Sequence, residues 1–330
     1  MDWVRAELHT HTVASDGDMS PYELATQAAR FGVRVLAVTD HNTVVSVDRV
    51  RRVASRLDVS VLGGIEWTTF YGHIVVTGGR SDVDWRSVTR DNFASCIARA
   101  AQAGDAVTIA HPCRTGWPIC PGGRFEYELD DWSDVHAIEV WSRLHPHANP
   151  TNAAALQLWQ NRIDRGDRIA PVSGRDWHAP DAEGVDGFAH TYLAVRSQGA
   201  DGALEALRAG RTYCALGIRV CAYWQDDRGG RYGFGEQIPD RAGTLYVDIL
   251  PAYDGADAQA RVSAIECRVA GRIERYAPEH MRRGVEMRPD GTAICVRVCG
   301  TYGGRGDYLA ICAPFYAATR QGERPKEQGI

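Results

Sequence analysis

The chain has 330 residues, 44% of them hydrophobic and 24% charged, with a formal net charge of -5. This is a globular composition about two domains long, which excludes a disordered, collagenous or coiled-coil chain. No global basic field draws it to nucleic acid or anionic membrane, and no apolar run approaches the roughly 18 residues needed to cross a bilayer.

The first two-thirds alternates strand and helix. Val4–His9 reads as a strand. Ser20-Pro21-Tyr22-Glu23 spells a capping box with proline at the first helical position. Leu24, Ala25, Ala28 and Phe31 then recur at helical spacing, and Gly32 supplies a left-handed stop. Arg34–Thr39 is a short apolar strand, and Val50, Val53 and Leu57 mark a second helix. Val59–Ile65 and His73–Thr77 are strands, Phe93–Ala103 a helix and Ala106–Ala110 a strand. Ala137–Trp141, Asn152–Arg165 and Ile169–Ser173 read as strand, helix and strand; Thr191–Val195 and Leu204–Ala209 close the series. Such alternation predicts an α/β fold, a parallel sheet with helices outside, and seven or so units suggest a barrel.

From about Ile218 the pattern changes. Arg219–Trp224, Thr244–Leu250, Ala264–Val269, Ala293–Val298 and Tyr308–Cys312 are short β-rich runs between glycine-rich turns. The expected organisation is a barrel over residues 1–217 and a small antiparallel, sandwich-like β domain over 218–320. A polar tail, 321–330, is expected to be disordered. The β domain could dimerise the protein, cover the mouth of the barrel or bind substrate.

Several chemistries are removed by what is missing. Lys326, in the tail, is the only lysine among 37 basic residues. The folded part therefore has no P-loop lysine, no Schiff-base lysine and no lysine general base. There is no Gly-x-Ser-x-Gly elbow and no strand–Gly-x-Gly-x-x-Gly–helix unit. The nine cysteines include no Cys-x-x-Cys pair, and no basic segment followed by an apolar core opens the chain. Reduced thiols in a cytoplasmic protein are expected, with no bridge between Cys113 and Cys120.

The informative residues stand at strand ends. His9-Thr10-His11 and Ser15-Asp16-Gly17 follow the first strand, and Thr39-Asp40-His41-Asn42 the second. Glu66 and His73 come with the next two, and His111 ends another strand. Gly174-Arg175-Asp176-Trp177-His178 follows a later one. In a parallel barrel these ends converge on one face. Six imidazoles and three carboxylates at one mouth call for cations, and Zn, Mn or Fe suits such ligands.

These motifs, with Gly64-Ile65-Glu66, Gly72-His73 and Ala110-His111-Pro112, resemble the ordered motifs of the polymerase and histidinol phosphatase (PHP) superfamily over about residues 4–217. Ala206–Tyr213 resembles the closing segment of its carbamate-hydrolase-like (CehA/McbA-type) branch. The resemblance implies a distorted (β/α)7 barrel with two or three divalent metal ions. His9, His11, Glu66 and Asp176 would hold a first ion. Glu66, bridging, with His73 and His111 would hold a second, and Asp16, His41 and His178 a third. Asp40 would orient an imidazole.

The expected activity is hydrolysis of a small phosphomonoester (a nucleotide, sugar or amino-alcohol phosphate) by a metal-bridging hydroxide. A non-phosphate ester, carbamate or amide at the same metals is the alternative; an inactive metal-bound binding module is a second. No membrane and no long nucleic acid is expected as partner, and a homo-oligomer through the β domain is possible. Arg114, Arg143 and Arg175 are candidate phosphate clamps or structural ion-pair partners. The leaving group's proton would come from a metal-bound water or from His178. His145-Pro146-His147 reads as a substrate loop or plain surface. Trp117, Trp141 and Trp177 would flank the mouth, as an aromatic wall or, for Trp141, as ordinary core packing, and the loop from Cys113 to Arg124 would form a lid or specificity loop.

Overall fold

The computed structural model describes residues 2–115, 123–182, 187–252 and 259–318. Trp117, Cys120, most of the expected lid, and the tail with Lys326 lie outside the described residues. The first part runs β1 (Asp2–Glu7), α1 (Pro21–Arg30), β2 (Val35–Val38), α2 (Val47–Ala54), β3 (Ser60–Thr69), β4 (Gly72–Thr77), α3 (Phe93–Ala103), β5 (Ala106–Ile109), β6 (Ala137–Ser142), α4 (Pro150–Asp164), β7 (Ala170–Gly174), β8 (Ala189–Val195), α5 (Ala200–Arg208) and β9 (Thr212–Leu216). No described helix is long and apolar enough to cross a membrane.

Local sequence explains the elements. Ser20 caps α1 by accepting the Glu23 amide at 3.3 Å, while the Glu23 carboxylate takes the Ser20 amide at 2.8 Å. The buried face of α1 is Leu24, Ala25 and Ala28, as its spacing predicts. Helix α4 is anchored to the sheet by Trp159, whose indole donates to the Ile169 carbonyl at 2.8 Å.

The strands form a curled mixed sheet in the order β8-β1-β2-β3-β4-β5-β6-β7. The expected parallel alternation is interrupted. β1–β2, β2–β3, β5–β6 and β6–β7 are parallel, but β4 runs antiparallel to both neighbours and β8 antiparallel to β1. Only Phe70 and Tyr71 join β3 to β4. Two residues make a hairpin; a parallel crossover needs a dozen or more. The two ends of the curl meet through hydroxyls. Thr191 Oγ1 accepts the Ser173 amide at 2.8 Å and donates to the Ser173 carbonyl at 2.9 Å, and Thr212 Oγ1 donates to the Pro171 carbonyl at 2.9 Å.

The C-terminal strands are β10 (Ile218–Asp226), β11 (Arg231–Tyr232), β12 (Gln237–Ile238), β13 (Gly243–Pro251), β14 (Ala260–Val269), β15 (Arg272–Tyr276), β16 (Val285–Met287), β17 (Ala293–Tyr302), β18 (Tyr308–Cys312) and β19 (Phe315–Ala317), with a short helix α6 (Pro278–Arg283). β10, β11, β13 and β16 make a separate four-stranded sheet. The others extend the curled sheet, because β18 pairs antiparallel with β9. One apolar cluster accordingly runs from Trp67, Phe93 and Val140 to Ile265, Val296 and Ile311. Tyr213 stands at the join, stacked on Tyr192 at 4.7 Å and edge-on to Trp3 at 4.8 Å. Burial pushes the thiols of Cys214, Cys267 and Cys312 up, and that of Cys295 up to about 11. They are therefore poor nucleophiles.

Candidate metal centre

Two threonines pin the ends of β1 and β2 together. Thr39 Oγ1 accepts the Thr10 amide at 3.0 Å, and Thr10 Oγ1 donates to the Ala37 carbonyl at 2.6 Å. The segment after β7 then bonds to the segment after β1, through Trp177 N to His9 O at 3.1 Å and His11 N to Trp177 O at 2.9 Å. His111 and Asp176 hold left-handed backbone angles, φ 27° and 53°, a conformation that costs energy outside glycine. Gly174 is required by close approach: a Cβ there would stand 2.2 Å from Glu139 Oε1 and 2.8 Å from the His9 Cβ.

These devices bring the nine sequence-predicted residues to one centre. Glu66 is fully buried. Its Oε2 lies 3.2 Å from His9 Nε2, 3.4 Å from His11 Nε2 and 2.9 Å from His41 Nδ1. Its Oε1 lies 3.0 Å from His73 Nδ1 and 3.3 Å from His111 Nε2. Asp176 Oδ1 is 3.2 Å from His11 Nε2 and 3.6 Å from His9 Nε2. Asp16 lies 3.5 Å from His41 and 3.2 Å from His178. Three groups offer atoms spaced to hold a cation: His9, His11, Glu66 and Asp176; His41, Glu66 and His73; and His11, Asp16, His41 and His178.

The hydrogen-bond accounting shows that the donor set fits metal. Both oxygens of Glu66, both ring nitrogens of His11 and of His111, and His9 Nε2 are buried without a hydrogen-bond partner. Buried polar groups are almost always paired, so this many converging orphans suits bound divalent cations. Charge points the same way. Burial alone would raise Glu66 and Asp176, yet neighbouring imidazoles hold both carboxyls well below their usual range. Burial opposes charge on His9 and His41, but Glu139 and Glu66 raise His9 well above its ordinary value, and Asp16 and Glu66 raise His41 to about 10. Both carboxylates thus stay ionised, as ligands must.

Two carboxylates that sequence reasoning missed support the centre. Glu139 Oε1 meets His9 Nδ1 at 2.7 Å and Oε2 accepts the His111 amide at 2.9 Å. A proton held on Nδ1 leaves Nε2 as a lone pair facing the centre. Glu7 accepts the amides of His9 at 3.1 Å and Arg175 at 3.0 Å. The available signal was Glu139, the single acid inside apolar β6; Glu7 ends β1, which also carries Asp2 and Arg5.

Three expectations need correction. Arg175 is no clamp at the mouth: its guanidinium is buried against Trp177 at 4.1 Å and Phe188 at 3.8 Å and pairs with Asp181 at 2.7 Å. Trp177 is packed there, 3% exposed, so it forms no open aromatic wall, and Trp141 is equally buried, in line with its core-packing reading. Asp40 orients no imidazole. It accepts from the Thr12 amide at 2.7 Å, the Ser15 hydroxyl at 2.7 Å and the Ser46 hydroxyl, and so shapes the loop that carries Asp16. Arg114 and Arg143 do reach the centre, Arg114 by an ion pair with Asp176 and Arg143 at 3.8 Å from it. They line a cavity of about 180 Å³ with His111, Ser142, Asn149 and Thr151. Ser142 Oγ there is buried and unpartnered. His145 and His147 lie apart from the centre, on the loop leading to α4, with His147 beside Tyr302.

With this geometry in view, comparison with known proteins is informative. Residues 7–103 match the PHP domain family. The matched segment carries His9, His11, Asp16, His41, Glu66 and His73. A stretch of 63 residues is 40% identical to a 5'-3' exoribonuclease of Haemophilus influenzae, covering 19% of this chain and 23% of that protein. A stretch of 64 residues is 39% identical to a phosphoribosyl 1,2-cyclic phosphate 1,2-diphosphodiesterase of Eggerthella lenta, covering 19% and 24%. The matches thus span less than a quarter of these relatives' length. Over 95% of both chains the fold resembles, with a TM-score of 0.54 and 15% identity, the crystal structure of a two-domain protein containing a predicted PHP-like metal-dependent phosphoesterase, from Bacteroides vulgatus.

Proposed function

We propose that the protein is a metal-dependent phosphoesterase that hydrolyses a small phosphomonoester. One observation carries this reading: converging orphaned atoms of Glu66, His9, His11 and His111 lie beside a cavity flanked by Arg114 and Arg143. His9, His11, Glu66 and Asp176 would hold one divalent ion, Glu66, His73 and His111 a second, and Asp16, His41 and His178 a third. Zn, Mn or Fe ions would serve there as Lewis acids and supply an activated water for hydrolysis. The names of both curated relatives denote phosphoester cleavage, which favours phosphorus over a carboxyl or carbamoyl centre.

The chain's own residues perform the remaining work. Glu139 fixes the His9 ring and the His111 backbone. Arg114 and Arg143 present guanidiniums to phosphoryl oxygens, with the Ser142 hydroxyl lining the same cavity. His178, raised by Asp16 and Asp176 against the opposing effect of burial, holds a proton for the leaving oxygen when only two ions bind. With a third ion bound, it would serve as a ligand instead. The barrel over 1–217 as hydrolase and 218–320 as a second, β-rich unit belong to this proposal. So does the CehA/McbA-type branch, carried by the Ala206–Tyr213 segment.

The test is metal analysis of the purified protein followed by phosphate release from a panel of phosphomonoesters with each metal restored. Metal-loaded protein that cleaves aryl carbamates or esters, yet releases no phosphate, would overturn the reading in favour of the alternative chemistry.

A further inference from the structure

Helix α4 turns one face, at residues 149, 152, 153, 156, 157 and 160, toward the C-terminal strands across an open groove of about 370 Å³. That volume is in the range of small-ligand sites. The floor is apolar, from Trp141, Pro146 and Leu156. The opposite wall is Ile273 of β15, Arg297 of β17 and Tyr308 of β18. Neither part of the chain makes the groove alone. At the N-terminal turn of α4 it shares Asn149 and Asn152 with the cavity beside Arg114 and Arg143. The candidate phosphate position and the groove therefore meet at one turn of helix.

Charge accounting narrows what fits. Arg268 is engaged by Asp164 through bonds of 2.5 and 2.7 Å. Arg297 donates to Gln160, lies 3.8 Å from Glu266 and stacks 5.3 Å from the Tyr308 ring centre. Both guanidiniums already have partners, Arg297 sharing Glu266 with Arg275, and the exposed Asp307 carboxylate on the same wall disfavours a second anionic group. The remaining polar lining is the exposed Asp307 carboxylate, the His147 imidazole, Asn149 Nδ2 and Gln157 Oε1, beside the Tyr308 ring; Asn149 Oδ1 and Gln157 Nε2 are engaged by Thr151 and Asn161. Donors and acceptors beside one aromatic ring suit a neutral hydroxylated ring.

We infer that this composite groove holds the ring of the substrate, the sugar of a sugar phosphate or of a nucleoside phosphate, while the phosphate lies beside Arg114 and Arg143. The inference rests on the phosphoesterase reading above. It assigns the C-terminal strands a share of substrate recognition.

Ala153 is exposed on the groove face of α4 and belongs to no candidate ligand set. In the metal-loaded Ala153→Trp protein, the preference in kcat/KM for ribose 5-phosphate and adenosine monophosphate over ethyl phosphate should fall about tenfold, through KM. Its thermal midpoint should match that of the wild type. A fall for ribose 5-phosphate alone assigns the groove to free sugar phosphates, and one for adenosine monophosphate alone to nucleosides. Calorimetric binding of free ribose and adenosine, weakened in the variant, supplies a readout independent of turnover. Wild-type protein that hydrolyses all three esters, with ratios and binding unaltered in Ala153→Trp, overturns the groove. Wild-type protein that hydrolyses none of them fails the functional reading instead.

Discussion

The curled part of the sheet and the C-terminal strands that extend it bury very different side chains. The first hides most of the buried charge, with Glu7, Asp40, Glu66, Asp105, Glu139 and Asp176 as its buried acids, Glu66 and Asp176 among imidazoles. The second hides aliphatic residues and thiols, with Glu266 as its one buried acid among the described residues. A continuous sheet and a shared apolar cluster thus join a region that carries unsatisfied polar atoms to one that has few. The lesson is thermodynamic. Orphaned charge is costly, and a well-packed neighbour helps the fold to tolerate it until cations bind.

This contrast can be broken experimentally. The largest effect belongs to Glu66→Ala, which should abolish both metal content and turnover, read by elemental analysis and phosphate release. Full turnover in a metal-free variant would end the account. Next, Arg114→Ala should lower kcat/KM by about 100-fold, whereas Arg175→Ala should leave KM in place and lower stability by about 1–3 kcal/mol. Steady-state kinetics and urea melts separate the two. Glu139→Gln should weaken metal binding by about 10- to 100-fold, measured by competition with a chelating dye. Ile311→Ala, in the C-terminal strands, should cost about 2–5 kcal/mol while native protein keeps its metal.

The smallest effect concerns Glu7. Burial pushes its carboxyl up to about 7. The native protein then keeps a proton that the unfolded chain releases near 4.5, so this contribution is full below that pH and is lost as pH rises through 7. Metal-stripped protein should therefore lose on the order of 3 kcal/mol between pH 5 and 8 from this group, and Glu7→Gln should flatten the dependence. An unchanged melting profile in that variant would remove Glu7 from the balance.

How much of this was legible beforehand depends on what each residue needs for its meaning. His9, His11, His41 and His111 each close an apolar run, so strand ends and ligands could be read together. Glu139 lies inside β6 and Glu7 ends β1; no local pattern connects Glu139 with His9, 130 residues away, or Glu7 with Arg175, 168 residues away. Of the two readings open for Arg175, the structural ion pair holds, because adjacency to Asp176 says nothing about side-chain direction and the left-handed backbone of Asp176 turns the chain there. The β3–β4 hairpin was hidden by the expectation of crossovers. The pairing of β9 with β18 joins segments nearly a hundred residues apart in the chain, a register that hydrophobic alternation cannot announce. Helix α6 and β15 are too short and too exposed to leave a periodic signature.

Position 174 has a consequence for any redesign of this protein. Glycine there lets the end of β7 sit against Glu139 and the stem of His9. Even alanine would wedge the acid away from the imidazole it orients and shift the segment that bears Asp176. The rim loops can be exchanged to seek new substrates, but the tolerance ends where three strands touch with no room for one methyl group.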